Sequence, residues 1–294
     1  MIRIVNILGG LGNQMFQYAF ATALKAEYPR DEIKINILCF NGYSLHNGFE
    51  IEDIFSVIKF PHATIKDLLK VAWPWFHYRL WQVGTRILPK RHSMAKDTDY
   101  NGVFKFQDIE DKSYFDGYWQ SPKFIDKHRE LIKKTLQFPL IEHTDIQNLY
   151  ASRFITSDKT AFIHVRRGDY VNHPKFGGIC TTVYYQKAIT LLIDKYHYNQ
   201  FIIFSNDISW CKENLSSLYA EKKVIYVDWN RQRDSFRDIQ LMSMCKAGII
   251  ANSSFSWWGA WLGNMEVVIS PAKWTTTPNY HIDIIPDDWI KIST

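Results

Sequence analysis

Cysteine is scarce in this chain. Four occur in 294 residues, Cys39, Cys180, Cys211 and Cys245, and no two stand as CxxC. That excludes a disulfide framework and a zinc finger, and it fits a reduced compartment. Long apolar runs are also missing: no uncharged stretch reaches the ~18 residues a spanning helix needs. The opening MIRIVNILGG has no charged segment ahead of an apolar run and a small-residue cleavage site, so no signal peptide is expected. The expected location is cytoplasmic, with peripheral contact at the inner membrane face left open. Neither HExxH nor GxSxG occurs, which disfavours zinc-protease and serine-hydrolase chemistry. The D-x-D string Asp97-Thr98-Asp99 lies in a Lys-flanked irregular segment and reads as solvated loop, so no metal site is expected. Internal repeats and low-complexity tracts are absent as well.

What is present is an ordinary globular composition, 46% apolar and 22% charged. The net charge of +5 is unevenly placed. Between Phe60 and Lys96, seven basic residues (Lys66, Lys70, Arg79, Arg86, Lys90, Arg91, Lys96) face the single acid Asp67, a local +6, so the rest sums to about −1. Trp73, Trp75, Phe76, Tyr78 and Trp81 interleave with these cations. Such a helix can lie on an anionic lipid surface; it can equally be a packed helix with a solvated basic face.

Apolar spacing predicts strand, Gly turn and helix over Ile2–Leu8, Gly9–Gly10 and Asn13–Lys25, then a strand at Glu32–Cys39. Thr64–Gln82 reads as one helix kinked at Pro74, and Lys90–Gln107 as loop with short pieces. The second half alternates more cleanly. Strands are predicted at Thr160–Val165, Gln200–Phe204, Lys223–Val227, Ala247–Ala251 and Glu266–Ile269. Helices are predicted at Thr181–Lys195, Ile208–Leu218, Ser235–Cys245 and Ser254–Leu262. This alternation implies βαβ units on a parallel sheet. A boundary in Pro139–Ser157 suggests domains of residues 1–150 and 151–294.

Four strings carry chemistry. HVRRGDY, His164 to Tyr170, follows a buried strand, where open α/β sheets bind ligands. Two arginines there suit a phosphate, with Asp169 orienting one of them; a salt-bridged surface turn is the plainer alternative. NSSFSWWGAWL, Asn252 to Leu262, opens a helix whose free N–H groups and Ser253 and Ser254 hydroxyls could take an anion, or simply cap the helix. In FSND, Asn206 and Asp207 could read a ribose or a base, and Asp207 could equally cap the next helix. GGLGNQMFQ, Gly9 to Gln17, fails GxGxxG because Met15 holds the third glycine position. Gly10 and Gly12 instead allow close approach, with Asn13 and Gln14 offering amides.

In this order the four strings resemble the bacterial α-1,2-fucosyltransferases of glycosyltransferase family 11. HVRRGDY with NSSFSWW is the specific part. The resemblance implies a GT-B-like α/β architecture, two Rossmann-like domains facing across a cleft, with an N-terminal acceptor-side domain and a C-terminal domain holding the donor. It implies GDP-β-L-fucose as donor, a galactose-terminated oligosaccharide or lipid-linked glycan as acceptor, inversion, and no obligatory metal or other cofactor; no nucleic-acid partner is expected, because the basic residues fit no nucleic-acid-binding motif. It also implies roles. Arg166 would bind the β-phosphate, with Arg167 in support. Asn252, Ser253, Ser254 and Phe255 would frame the diphosphate, and His164 and Asp169 would hold the loop. Asn206 and Asp207 would read ribose or guanine. Asn13, with Gly10 and Gly12, would reach the donor from the other domain. The base for the acceptor hydroxyl is open among Asp169, Asp116 and His46. Three alternatives stand beside this reading: a fucosyltransferase of other linkage or acceptor, a nucleotide-dependent oxidoreductase, and a non-catalytic glycan- or membrane-binding module.

Overall fold

The computed structural model describes residues 1–55, 58–100, 105–277 and 283–293. The chain divides into two compact units, Met1–Pro139 with Asp283 and Ile284, and the remainder from Leu140. Both are α/β.

The N-terminal unit is built on a four-stranded parallel sheet of β1 (Ile2–Asn6), β2 (Glu32–Asn36), β3 (Met94–Lys96) and β4 (Tyr114–Asp116), ordered β2-β1-β4-β3. The helix Leu11–Glu27 follows β1 and is almost wholly buried through Leu24. Its Phe20 stacks on Trp119, ring centroids 4.3 Å apart. The expected kinked helix is instead two, Ile65–Val71 and Tyr78–Ile87. Pro74 lacks an N–H and pushes its predecessor out of helical geometry, so the chain breaks rather than bends. Trp75, in the break, is buried beneath Gly84 of the second helix, where a Cβ would come within 2.3 Å of the indole ring. Lys90–Gln107 supplies β3 as well as loop, and within it residues 101–104 lie outside the described residues.

The C-terminal unit holds a six-stranded parallel sheet: β5 (Thr160–Val165), β6 (Gln200–Ser205), β7 (Lys223–Val227), β8 (Ala247–Ile249), β9 (Val267–Pro271) and β10 (Ile290–Ile292). The order β10-β9-β8-β5-β6-β7 is that of the dinucleotide-binding fold. Connections run outward to one side from β5, then cross back to β8 and run outward to the other. The strand order therefore reverses between β5 and β8. Ligands of such sheets bind beyond the carboxyl ends of the strands at that reversal. β5 is buried along its whole length and flanked on both sides, which suits its unbroken TAFIHV run.

Candidate active site

Two of the four strings flank the reversal. HVRRGDY leaves the carboxyl end of β5, and NSSFSWW leaves β8 and opens the helix Ser254–Leu262. The strands are hydrogen-bonded neighbours, so adjacency of the two loops follows from the register Ile163↔Ile249. Contacts across the reversal tighten it. The Tyr170 hydroxyl hydrogen-bonds Ser253, and the His164 and Phe255 rings lie 5.8 Å apart.

The adjacent arginines differ sharply. Arg167 is spent on scaffold: its backbone N–H donates to Asn206 Oδ1 at 2.8 Å, its Nε to Asp207 Oδ2 at 3.2 Å, and its guanidinium sits 4.2 Å over Trp210. Arg166 pairs with Asp169 at 2.9 Å, a carboxylate 57% exposed, its guanidinium lies 5.3 Å from the Tyr170 ring centre, and its buried Nε has no hydrogen-bond partner. The buried Nδ1 of His164 also has none. Buried polar groups are almost always hydrogen-bonded, so two orphans in one tripeptide mark a place where something else binds. Burial and the neighbouring Arg166 charge push the His164 imidazole down to about 3, so it is neutral at pH 7. Gly168 has φ +57°, and a Cβ there would meet the Asn206 amide at 2.6 Å, which fixes glycine at the turn.

The remaining residues of the C-terminal strings are mostly turned to support. Asp207 caps the helix Ile208–Leu215 by accepting from Trp210 N at 3.1 Å. Asn252 is buried; its amide donates to the carbonyls of Phe176 and Trp274, and its oxygen accepts from Cys180 Sγ. Ser253 caps its helix by accepting from Phe255 N at 3.4 Å. Asp238 was not singled out by any motif. It lies in the first turn of the crossover helix Phe236–Met244, accepts from Asn230 at 2.8 Å, and burial raises its carboxyl to about 7. A lone acid opening a helix gives no sequence signal beyond capping.

Asn13, Gly10 and Gly12 belong to the N-terminal unit, at the start of the helix after β1. Asn13 Oδ1 accepts from Gln120 at 3.0 Å. Gln14 is buried and its amide is committed to Gly9, Gly48 and Glu50, so it stitches loops rather than facing a ligand. Asp116, at the end of β4, is 3% exposed and accepts from Asn6, Trp81 and Gly117; burial raises its pKa. His46 is exposed in a left-handed conformation, φ 61°. Asp97 departs from the expected solvated loop. Its carboxylate accepts from the N–H groups of Tyr118, Trp119 and Thr98, and burial raises its pKa. Among the described residues, no group of three or more His, Cys, Asp or Glu could hold a metal ion.

Two parallel-sheet α/β units in one chain, the second with cationic and helix-terminal groups at its strand reversal, give the chain the GT-B-type architecture of many glycosyltransferases. The Veillonella parvula glycosyl transferase family 9 structure agrees in fold, with TM-score 0.51 at 11% identity over 99% of this chain and 86% of that one. More particularly, the chain belongs to glycosyl transferase family 11, whose model matches residues 2–293. It is similar to an Escherichia coli alpha-1,2-colitosyltransferase, 30% identical over 99% of both chains. It is 31% identical to the E. coli O-antigen biosynthesis glycosyltransferase WbnK, over 97% of this chain and 98% of that one. It is 26% identical to mouse galactoside alpha-(1,2)-fucosyltransferase 2, over 90% of this chain and 69% of that one. Family membership displaces the oxidoreductase alternative.

Proposed function

We propose that the chain transfers L-fucose from GDP-β-L-fucose to the 2-hydroxyl of a terminal galactoside, with inversion, in cell-surface glycan synthesis. The observation that carries the reading is Arg166, a cation at the strand reversal with an unpartnered Nε and, as its one ion-pair partner among the described residues, an exposed carboxylate. As the C–O bond to fucose lengthens, positive charge grows on the sugar and negative charge on GDP. Arg166 neutralises the β-phosphate, and the N–H groups opening the helix Ser254–Leu262, with the Ser254 hydroxyl, take the remaining oxygens. Ser253, Tyr170 and Asn252 hold that helix against the HVRRGDY loop. Arg167, Asn206 and Asp207 keep Arg166 in place from the other side. The acceptor is a galactose-terminated glycan, and the transfer needs no metal. The names of the E. coli and mouse relatives support the linkage and the sugar class.

A second donor is favoured by the E. coli colitosyltransferase relative. Colitose is fucose without its 3-hydroxyl, so GDP-colitose presents the same diphosphate and ring hand. Both donors are tested with β-galactoside acceptors in EDTA, reading GDP release and product linkage. GDP release with an α-1,2 product from GDP-fucose is expected. Turnover with GDP-colitose alone would select the second donor. No turnover with either, and no binding of GDP, would overturn both readings.

A further inference from the structure

Sixteen large apolar side chains are well exposed among the described residues, and seven of them fall between Ile65 and Leu88. On the helix Tyr78–Ile87, Leu80, Val83 and Ile87 are 47%, 54% and 71% exposed. At about 100° per residue they share an arc of about 60°, bordered on one side by Arg79 and Arg86. This is not the face that packs: Trp81 and Gly84 face inward, toward Asp116 and Trp75. The helix Ile65–Val71 repeats the pattern. Leu68 and Val71 are buried, while Ile65 and Leu69, four apart, are exposed beside Lys66 and Lys70.

The two helices are tied together. Arg91 donates to the carbonyls of Leu69 at 3.1 Å and Ala72 at 2.6 Å, and Trp73 Nε1 donates to Pro89 O at 3.0 Å. The single acid of the stretch is withdrawn from the surface. Asp67 closes a capping box with Thr64 and pairs with Lys34 at 3.1 Å. Lys66, Lys70, Arg79 and Arg86 make no ion pair among the described residues. The Trp-bearing surface expected from the sequence is thus corrected. Trp75 is buried and Trp81 half-buried, and the exposed ridge is mainly aliphatic.

We propose that the helices Ile65–Val71 and Tyr78–Ile87 form a docking surface for an anionic phospholipid bilayer. Apolar side chains exposed in a row, flanked by unneutralised cations, match the boundary between acyl chains and phosphate headgroups. Protein interfaces centre instead on Trp, Tyr and Arg anchors; here Trp75 is buried, and the half-buried Trp73 and Trp81 have their indole N–H groups committed to Pro89 and Asp116. The surface stands on its own geometry. Its use, bringing the enzyme to a lipid-linked galactoside, rests on the fucosyltransferase reading.

The full chain is sedimented with vesicles of phosphatidylcholine alone and of phosphatidylcholine with one quarter phosphatidylglycerol, at low and at half-molar salt. Binding to the anionic vesicles is expected, at least about tenfold weaker without phosphatidylglycerol or at high salt. Combined Leu80→Ser, Val83→Ser and Ile87→Ser lowers binding at least about tenfold while turnover of a soluble galactoside is kept. Combined Arg79→Gln and Arg86→Gln lowers it about thirtyfold, at about 1 kcal/mol per charge. Should a variant not fold, protection of amides 65–88 from hydrogen exchange on vesicles is read on the unmodified chain. Absence of both binding and protection overturns the proposal. So does a lipid-free dimer that Leu80→Ser dissociates, which makes a second copy the occupant. Vesicle binding uses no sugar nucleotide, so its failure is separate from failure of the transferase reading.

Discussion

Arg166 and Arg167 are neighbours in sequence and opposites in environment. Arg167 is held by Asp207, Asn206 and the Trp210 ring, whereas Arg166 has one exposed carboxylate, a longer contact with the Tyr170 ring and an orphan donor. Arg166→Ala is expected to lower kcat at least ~10²-fold, with melting temperature nearly unchanged, because it removes a charge-assisted contact that strengthens in the transition state. Arg167→Ala should instead cost about 1 kcal/mol of stability and change kcat less, since its cation–π contact and half-exposed ion pair are structural. Single-turnover GDP release and urea denaturation separate the two. Near-normal turnover in Arg166→Ala would contradict its placement.

Asp238 makes a pH prediction with a defined sign. Its folded pKa of about 7 lies above the ordinary aspartate value of 3.8 because burial penalises the charge. The folded chain therefore keeps a proton that the unfolded chain releases. Asp238's contribution is fully favourable below about pH 4 and is lost as pH rises toward 7, by up to about 4 kcal/mol. Asp238→Asn should flatten the fall in stability across that window. Denaturation midpoints of both proteins from pH 4 to 8 test this, and parallel curves would show that Asp238 does not titrate there.

At the scale of elements, legibility followed the length of the apolar pattern around each element. The helix Ser254–Leu262 was readable to the residue, since a serine cap precedes an unbroken apolar run and Gly263 follows. β3, β4 and β10 were missed, at three residues each. A strand that short shows no alternation: β8, equally short, is legible from the apolar run Ala247–Ala251 around it, whereas β4 is defined by its pairing with β1 on one side and β3 on the other. The site was legible to a similar degree. The motif strings located the strand reversal, but which arginine is committed to scaffold depends on Asp207 and Trp210, forty residues on. Packing inside the sheet gives its own test. β8 places Gly248 against the Phe162 ring, where a Cβ would come within 2.2 Å. Gly248→Val should cost about 1–3 kcal/mol by overpacking, measured by urea unfolding. A neutral result would mean that the Phe162 ring has room to move.

For the whole molecule, net charge is a poor guide and its distribution a good one. Arg166 and Arg167 barely affect the +5 total, because each stands beside an acid. The surplus belongs to Phe60–Lys96, in the other unit, where the only acid is turned inward. The two charge systems should therefore respond to different ligands. On the proposed donor reading, GDP should bind only the folded chain and stabilise it by RT ln(1 + [L]/Kd), about 2.7 kcal/mol at a hundredfold excess over Kd. Amides in the HVRRGDY loop and at the start of the helix Ser254–Leu262 should then exchange more slowly, and those of 65–88 should not change. Anionic vesicles should do the reverse. Hydrogen exchange read by mass spectrometry distinguishes the cases in one preparation. Protection of 65–88 by GDP would place nucleotide recognition in the wrong unit, and vesicle protection of 164–170 would mean that lipid phosphate competes for the donor site.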